Sequence, residues 1–311
     1  SGYRAATCGD TGPAPHGGFP AAPAFPEVGD EPSFTLPRRA GPVSGRRCTF
    51  IARKHPSRDH GAMSADGTPT LPPPPPLSDR WALFLDVDGT LVEFADHPER
   101  VVVPAALVRR LGALAEELDG ALALVSGRRI EMLDRLFAPL HLAAAGLHGL
   151  QRRCAGDGLP PEVDPPAALQ EIKAHARELL TRYPQALLED KGEAIGLHWR
   201  AMPEAAADLQ AFAIQALTRL PGYHLQHGDQ LVELRPQRAD KGDAIAAFLD
   251  EPPFAGRRPV FVGDDLTDEH GFGVVETCGG LAVLVGNRSG SRARHRLPDI
   301  RSVHAWLGVH P

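Results

Sequence analysis

The sequence predicts an α/β fold: a doubly wound, mostly parallel sheet core with a smaller α+β domain inserted into it. Three observations carry that expectation. Short, wholly apolar runs alternate with helix-periodic segments before residue 150 and again after residue 236. Several of those runs end abruptly in polar residues, as strands do when their C-terminal tips form a site. Between 150 and 236 the rhythm changes to paired strand-like segments with turn glycines, accompanied by two helices.

The first apolar run, over 81–85, ends in Asp86-Val87-Asp88-Gly89-Thr90. Carboxylates are rarely left in a core unless paired or metal-bound, so Asp86 and Asp88 belong at the strand tip. Residues two apart on a strand face the same way, which lets both point into one site. A helix is predicted over 104–118, with a proline near its start. The strand 121–125 ends in Ser126-Gly127-Arg128, and a helix over 130–137 leads to the small-residue strand 142–146.

In the inserted segment, helices are expected near 167–182 and 203–220, with strand pairs 186–189/195–200 and 224–226/231–234. Gly192 and Gly228-Asp229 supply the turns. The first pattern then resumes. Asp240 is the expected N-cap of a helix over 241–249, and the strand 259–262 carries Gly263-Asp264-Asp265 at its tip. A further strand covers 281–285, and a helical turn near 303–307 closes the fold. The expected division is a tail at 1–80, core at 81–149, insert at 150–236 and core at 237–311.

Residues 1–80 hold about half of the chain's 31 prolines, including the run 72–76, and show no sustained apolar periodicity. Such a tail is expected to be disordered, with the proline run a short stiff spacer. The first methionine is Met63, and the natural product is expected to begin there. The formal net charge of -6 argues against nucleic acid or anionic membrane as the main partner. No apolar run approaches the roughly 18 residues needed to span a bilayer. Cys8, Cys48, Cys154 and Cys278 show no metal-binding spacing, so free thiols and a reducing, cytoplasmic setting are expected.

The strand tips and helix starts thus present Asp86, Asp88, Ser126, Lys241, Asp264, Asp265 and Asp268. Clustered carboxylates repel one another unless a cation sits among them, and hard oxygen ligands suit Mg2+. A lysine and a hydroxyl beside that ion suit a phosphoryl group, which an aspartate can attack to form a covalent intermediate. The residues alone do not choose between Asp86 and Asp88 as nucleophile.

Taken together and in this order, Asp86-Val87-Asp88-Gly89-Thr90, Ser126, Lys241 and Gly263-Asp264-Asp265 resemble the four motifs of the haloacid dehalogenase superfamily of phosphatases. The resemblance implies that Asp86 is the nucleophile and that Asp88 protonates the leaving oxygen, then activates water. Asp88 would take up its proton with the help of neighbouring carboxylates in a closed site. Ser126 and Lys241 would hold phosphoryl oxygens. Mg2+ would be bound by Asp86, the Asp88 carbonyl and Asp264, with Asp265 or Asp268 in support. Gly127 and Arg128 join the phosphate loop, where Arg128 either orients the loop or caps a helix.

Within the insert, Glu189-Asp190-Lys191-Gly192 and His198-Trp199-Arg200, with Gly146-Leu147-His148-Gly149 and Gly263 to Glu269, resemble the trehalose-6-phosphate phosphatase family over about 225 residues. That resemblance makes the insert a cap whose Glu189, Lys191 and Glu233 bind sugar hydroxyls, with His198 and Arg200 beside them; charged groups make the stronger hydrogen bonds to hydroxyls. The alternative is that Glu189, Lys191, His198 and Arg200 are cross-strand pairs on a solvated face. His148 reads as a structural histidine, and Trp199 and Phe272 as core.

The implied partner is a small sugar phosphate, and a separate synthase partner is left open. The rivals are a phosphatase for sucrose phosphate or a hexose phosphate, which only the cap discriminates, and a phosphoryl-accepting receiver module, which needs no inserted cap.

Overall fold

The structure is a computed structural model that describes residues 71–95, 100–161 and 163–310. The expectations for residues 1–70, including a start at Met63, lie outside the described residues. Five strands are parallel neighbours in the core: β1 (Trp81–Leu85), β2 (Leu122–Val125), β3 (Ala143–Gly146), β9 (Arg258–Gly263) and β10 (Leu281–Val285). Two three-residue strands, β4 (Gln151–Arg153) and β11 (His295–Leu297), complete a sheet ordered β11-β10-β9-β1-β2-β3-β4. β4 alone runs antiparallel to its neighbour. Gln151–Arg153, expected inside the insert, therefore form an edge of the core sheet.

The apolar runs are buried because helices cover the sheet. Leu107, Leu111 and Leu114 of α1 (Ala105–Glu117), Ile130 and Leu133 of α2 (Ile130–Leu136), and Val303 and Leu307 of α7 (Ile300–Leu307) join the same core as Leu83, Phe84 and Leu85. So do Ile245 and Phe248 of α5 (Lys241–Leu249), and Phe272 and Val275 of α6 (Asp268–Thr277). Asp240 caps α5 with a full capping box, its side chain accepting from Asp243 N while the Asp243 carboxylate accepts from Asp240 N.

Register places the site. Leu85 of β1 pairs with Leu124 of β2 and with Val262 of β9. The residues that leave these three strands therefore emerge at one level: Asp86 from β1, Ser126 from β2 and Asp264 from β9. The chain steps from β1 through β2 to β3 in one direction, and β9 lies on the other side of β1. The tips thus sit at the topological switch point where open α/β sheets bind ligands.

The insert forms a four-stranded antiparallel sheet, ordered β5-β6-β8-β7, from β5 (Leu187–Asp190), β6 (Ile195–His198), β7 (Tyr223–Gly228) and β8 (Leu231–Pro236). One face packs on α3 (Ala167–Leu180) and α4 (Ala206–Leu217) through Ile172, Ala176, Leu209, Ala213, Leu197 and Val232, in a core that also holds Trp199. The other face is polar. Glu189, Gly196, Glu233 and Gln226 stand in one cross-strand row. A Cβ on Gly196 would lie 3.1 Å from His198 Nε2 and 3.4 Å from Glu189 Oε2, so glycine leaves the space these side chains occupy.

The proline run is not a free spacer. Arg296 N, on the outer edge of β11, donates to Pro72 O at 2.9 Å, Trp306 Nε1 donates to Pro75 O at 2.9 Å, and Leu77 packs on the core. Prolines lack the N–H that an edge position would leave unpaired, yet their carbonyls still accept, so an extended proline segment suits a strap along a sheet edge. Trp306 also stacks on Trp81 with ring centroids 6.2 Å apart.

Candidate active site

At the centre of the site, Lys241 Nζ lies 2.8 Å from Asp86 Oδ1 and 2.7 Å from Asp268 Oδ1, with all three side chains buried. Asp86, Asp264 and Asp268 each offer an oxygen within 4.8 Å of the others. Gly89 (φ +82°) makes this convergence sterically possible, because a Cβ there would lie 2.3 Å from Asp264 Oδ2. Thr90 Oγ1 donates to Asp264 Oδ1 at 3.0 Å and fixes its orientation.

The charge balance of this cluster points to a cation. Burial, followed by the charges of Asp268 and Asp264, pushes the Asp86 carboxyl well above the usual carboxylate range despite the opposing pull of Lys241. Burial and Asp268 raise Asp264 to about 6. Lys241 is itself held protonated: burial opposes its charge, but Asp268 and Asp86 outweigh it and raise its pKa. Three acids against one ammonium leave the group short of positive charge, and an all-oxygen donor set fits a hard divalent ion.

The other predicted residues divide in two. Ser126 is buried, accepts from Arg128 N at 3.2 Å, and shares the cavity wall with Gly127. Asp88 does not sit among the other carboxylates as expected. It is gripped by Arg128 in a two-point pair, Nε to Oδ2 and Nη2 to Oδ1, both at 2.7 Å, so the cation two residues past Ser126 reaches the β1 tip instead of capping a helix. Asp265 lines the cavity but lies outside the three-acid group; its backbone N donates to Asp268 Oδ2 at 2.9 Å, which makes it a strut of the loop.

The polar face of the insert forms the opposite wall of the same cavity, which measures about 310 Å³. Glu189, Lys191, His198, Arg200 and Glu233 all line it. They do pair across strands: His198 Nε2 lies 3.0 Å from Glu189 Oε2, and Lys191 bridges Glu233 directly and Glu189 at 3.5 Å. The pairs face the partly open cavity between cap and core, however, rather than an outer solvated surface. Burial disfavours the charged forms of Lys191 and Glu233, yet mutual attraction dominates, raising the lysine and depressing the glutamate. Arg200 pairs with Asp229 at 2.8 Å near the rim, its guanidinium 6.0 Å from the exposed ring of Phe94.

Cap and core touch through polar groups. Lys191 Nζ donates to Gly127 O at 3.2 Å, and His148 Nε2 of the core lies 3.1 Å from Glu233 Oε2 of the cap. His148 therefore does more than shape a turn, although its backbone is in the left-handed region at φ 54°. Burial, with partial compensation from Glu233, lowers its pKa. Residues to which the sequence alone assigns no role include Thr90, Phe94 and Arg288, whose guanidinium donates to Asp265 O at 3.2 Å and pairs with Glu269 at 2.5 Å. A Thr directly after Asp-Gly was the available signal for the first; the others lie on loops without motif character.

Residues 84–298 match the family model described as trehalose-phosphatase. The chain is 45% identical over 232 residues to a probable trehalose-phosphate phosphatase of Sinorhizobium fredii, covering 74% of this chain and 86% of that protein. It is 43% identical over 241 residues to the trehalose-6-phosphate phosphatase of Escherichia coli K12, covering 77% and 90%. Among solved structures, the C-terminal domain of a C. albicans trehalose-6-phosphate phosphatase superposes with a TM-score of 0.64 at 19% identity, over 75% of this chain and 93% of that one, and so shares the fold. With half of its length and more matched by that family model, the chain belongs to the trehalose-phosphatase family.

Proposed function

We propose that this chain hydrolyses trehalose 6-phosphate to trehalose and inorganic phosphate with the aid of Mg2+. The observation that carries the reading is a single cavity with two chemically distinct walls: acids, a lysine and a serine at the sheet tips, and charged side chains with a histidine on the cap. The location proposed is the cytoplasm, in keeping with the free thiol of Cys154. No helix among the described residues is long and apolar enough to cross a membrane.

Asp86 is the nucleophile. Its carboxylate oxygen bonds to phosphorus as the bond from phosphorus to the sugar oxygen breaks, and Asp88, protonated once Arg128 releases one of its two oxygens, gives that oxygen a proton. Asp88 then takes a proton from water, whose oxygen attacks phosphorus and frees both phosphate and the Asp86 carboxylate. Lys241 pulls Asp86 toward its ionised form and orients it at 2.8 Å, and Ser126 with the Gly127 and Arg128 backbone borders the phosphoryl oxygens. Asp86, Asp264 and Asp268, with the Asp88 carbonyl, would hold Mg2+, which when bound neutralises charge on the phosphoryl group. Arg128 sets the direction of the Asp88 carboxylate. On the cap, Glu189, Lys191 and Glu233 exchange part of their mutual pairing for sugar hydroxyls.

Family membership sets aside a receiver module. A phosphate-release assay over trehalose, sucrose, glucose and fructose phosphates, with and without Mg2+, tests the substrate. The disaccharide of trehalose should be turned over in preference to the others, and only with Mg2+; a preference for another sugar phosphate overturns the cap reading. Lys191→Ala should impair trehalose 6-phosphate far more than p-nitrophenyl phosphate, and equal losses on both would remove Lys191 from the sugar site.

A further inference from the structure

Lys173 has no part in the chemistry above, yet it is one of the largest fully buried side chains in the protein, 2% exposed on α3. An ammonium is costly to take out of water unless acceptors meet its N–H groups. Here both strong acceptors come from one short turn. Nζ donates to Gly192 O at 2.7 Å and lies 2.6 Å from Asp190 Oδ1.

That turn joins β5 to β6, and the residue between the two acceptors is Lys191. The turn is also tied within itself: Gly192 N donates to Asp190 Oδ1 at 3.0 Å, and Lys191 N donates to Ala194 O at 2.9 Å. Gly192 adopts φ +78°, a conformation that favours glycine. From this turn the Lys191 side chain reaches Glu233 and Gly127 O. Ammonium, carboxylate and carbonyl thus lock the backbone on both sides of the residue that faces the sugar. A lysine on an amphipathic cap helix would ordinarily extend its charge to solvent, so directing it inward serves the turn.

We propose that Lys173 is a positioning residue for sugar selection: it fixes the Asp190–Gly192 turn so that the Lys191 ammonium stands where a sugar hydroxyl must be met. This rests on the reading of Lys191 as a sugar contact. The phosphoryl-handling residues are on the core and make no contact with Lys173. The turn meets the phosphoryl loop at the Gly127 carbonyl, through Lys191 Nζ at 3.2 Å, so loosening it weighs more on the disaccharide than on a small phosphate ester.

The test is steady-state kinetics of the full chain with Mg2+ on trehalose 6-phosphate and on p-nitrophenyl phosphate, for wild type, Lys173→Met, Lys173→Arg, Asp190→Asn and Lys191→Ala, with a thermal melt of each. Lys173→Met should raise KM for trehalose 6-phosphate about tenfold, the scale of one displaced charged hydrogen bond, with kcat/KM for p-nitrophenyl phosphate within about twofold of wild type. Lys173→Arg should recover most of the loss. Asp190→Asn alters the turn's more exposed partner and should give the same selective rise, so it decides the matter if Lys173→Met does not fold. Unchanged KM, or equal losses on both substrates, in a folded variant overturns the proposal while a selective Lys191→Ala defect leaves the sugar site standing. If Lys191→Ala itself shows no selectivity, the sugar reading fails and this proposal fails with it.

Discussion

Asp86→Asn preserves the size and shape of the side chain at the centre of the cluster while removing its charge and its nucleophilicity. Lys241 then keeps Asp268 as a partner, so the fold should persist. Turnover of trehalose 6-phosphate should fall by about 10⁴-fold or more, as removal of a catalytic nucleophile does; steady-state phosphate release alongside circular dichroism checks both halves. Asp264 provides a titration. Its carboxyl, raised to about 6, binds its proton more tightly folded than unfolded, where the reference is near 3.9. The metal-free protein therefore loses stability from this group as pH rises from about 4 to about 6. A divalent cation takes the place of that proton, so the thermal stabilisation conferred by Mg2+ should grow between about pH 5 and pH 7.5 and be largely lost in Asp264→Asn. A Mg2+ shift of constant size over that range contradicts the assignment.

At the level of elements, the proline strap carries the clearest consequence. Residues 71–77 supply the acceptors for Arg296 N and Trp306 Nε1 and bring Leu77 onto the core. In urea denaturation a chain beginning at Ser78 should be less stable than one beginning at Leu71 by about 1–3 kcal/mol, from two hydrogen bonds and the apolar contact. Equal midpoints would show that the strap contributes nothing. The same segment shows where sequence reading stops: a proline run has no periodicity, and only a neighbouring edge reveals its use. β4 and β11 are hidden for a related reason. Gln151-Arg152-Arg153 and His295-Arg296-Leu297 have no apolar run, since short edge strands are solvated on one side. The helix α6 is obscured because it opens with the site's own acids and carries Gly271 and Gly273.

Across the whole molecule, the parts legible in the sequence are those where a strand buried on both faces ends in charge. Asp86, Ser126 and Asp264 each follow such a run, and parallel register alone brings them level. Partner choice within the site is not legible that way. The preference of Asp88 for Arg128 within the core, the contact of His148 with Glu233 between core and cap, and the inward turn of Lys173 within the cap each depend on residues apart in sequence coming within hydrogen-bond range, which no local pattern encodes. The central claim is that the assembled site transfers phosphorus to Asp86. It is tested most directly by quenching turnover of trehalose 6-phosphate in acid, reducing with borohydride to convert any acyl phosphate into homoserine, and locating it by peptide mass spectrometry. Homoserine should appear at position 86, only when substrate and Mg2+ are both present; its appearance at position 88 instead, or at no aspartate, would contradict the mechanism.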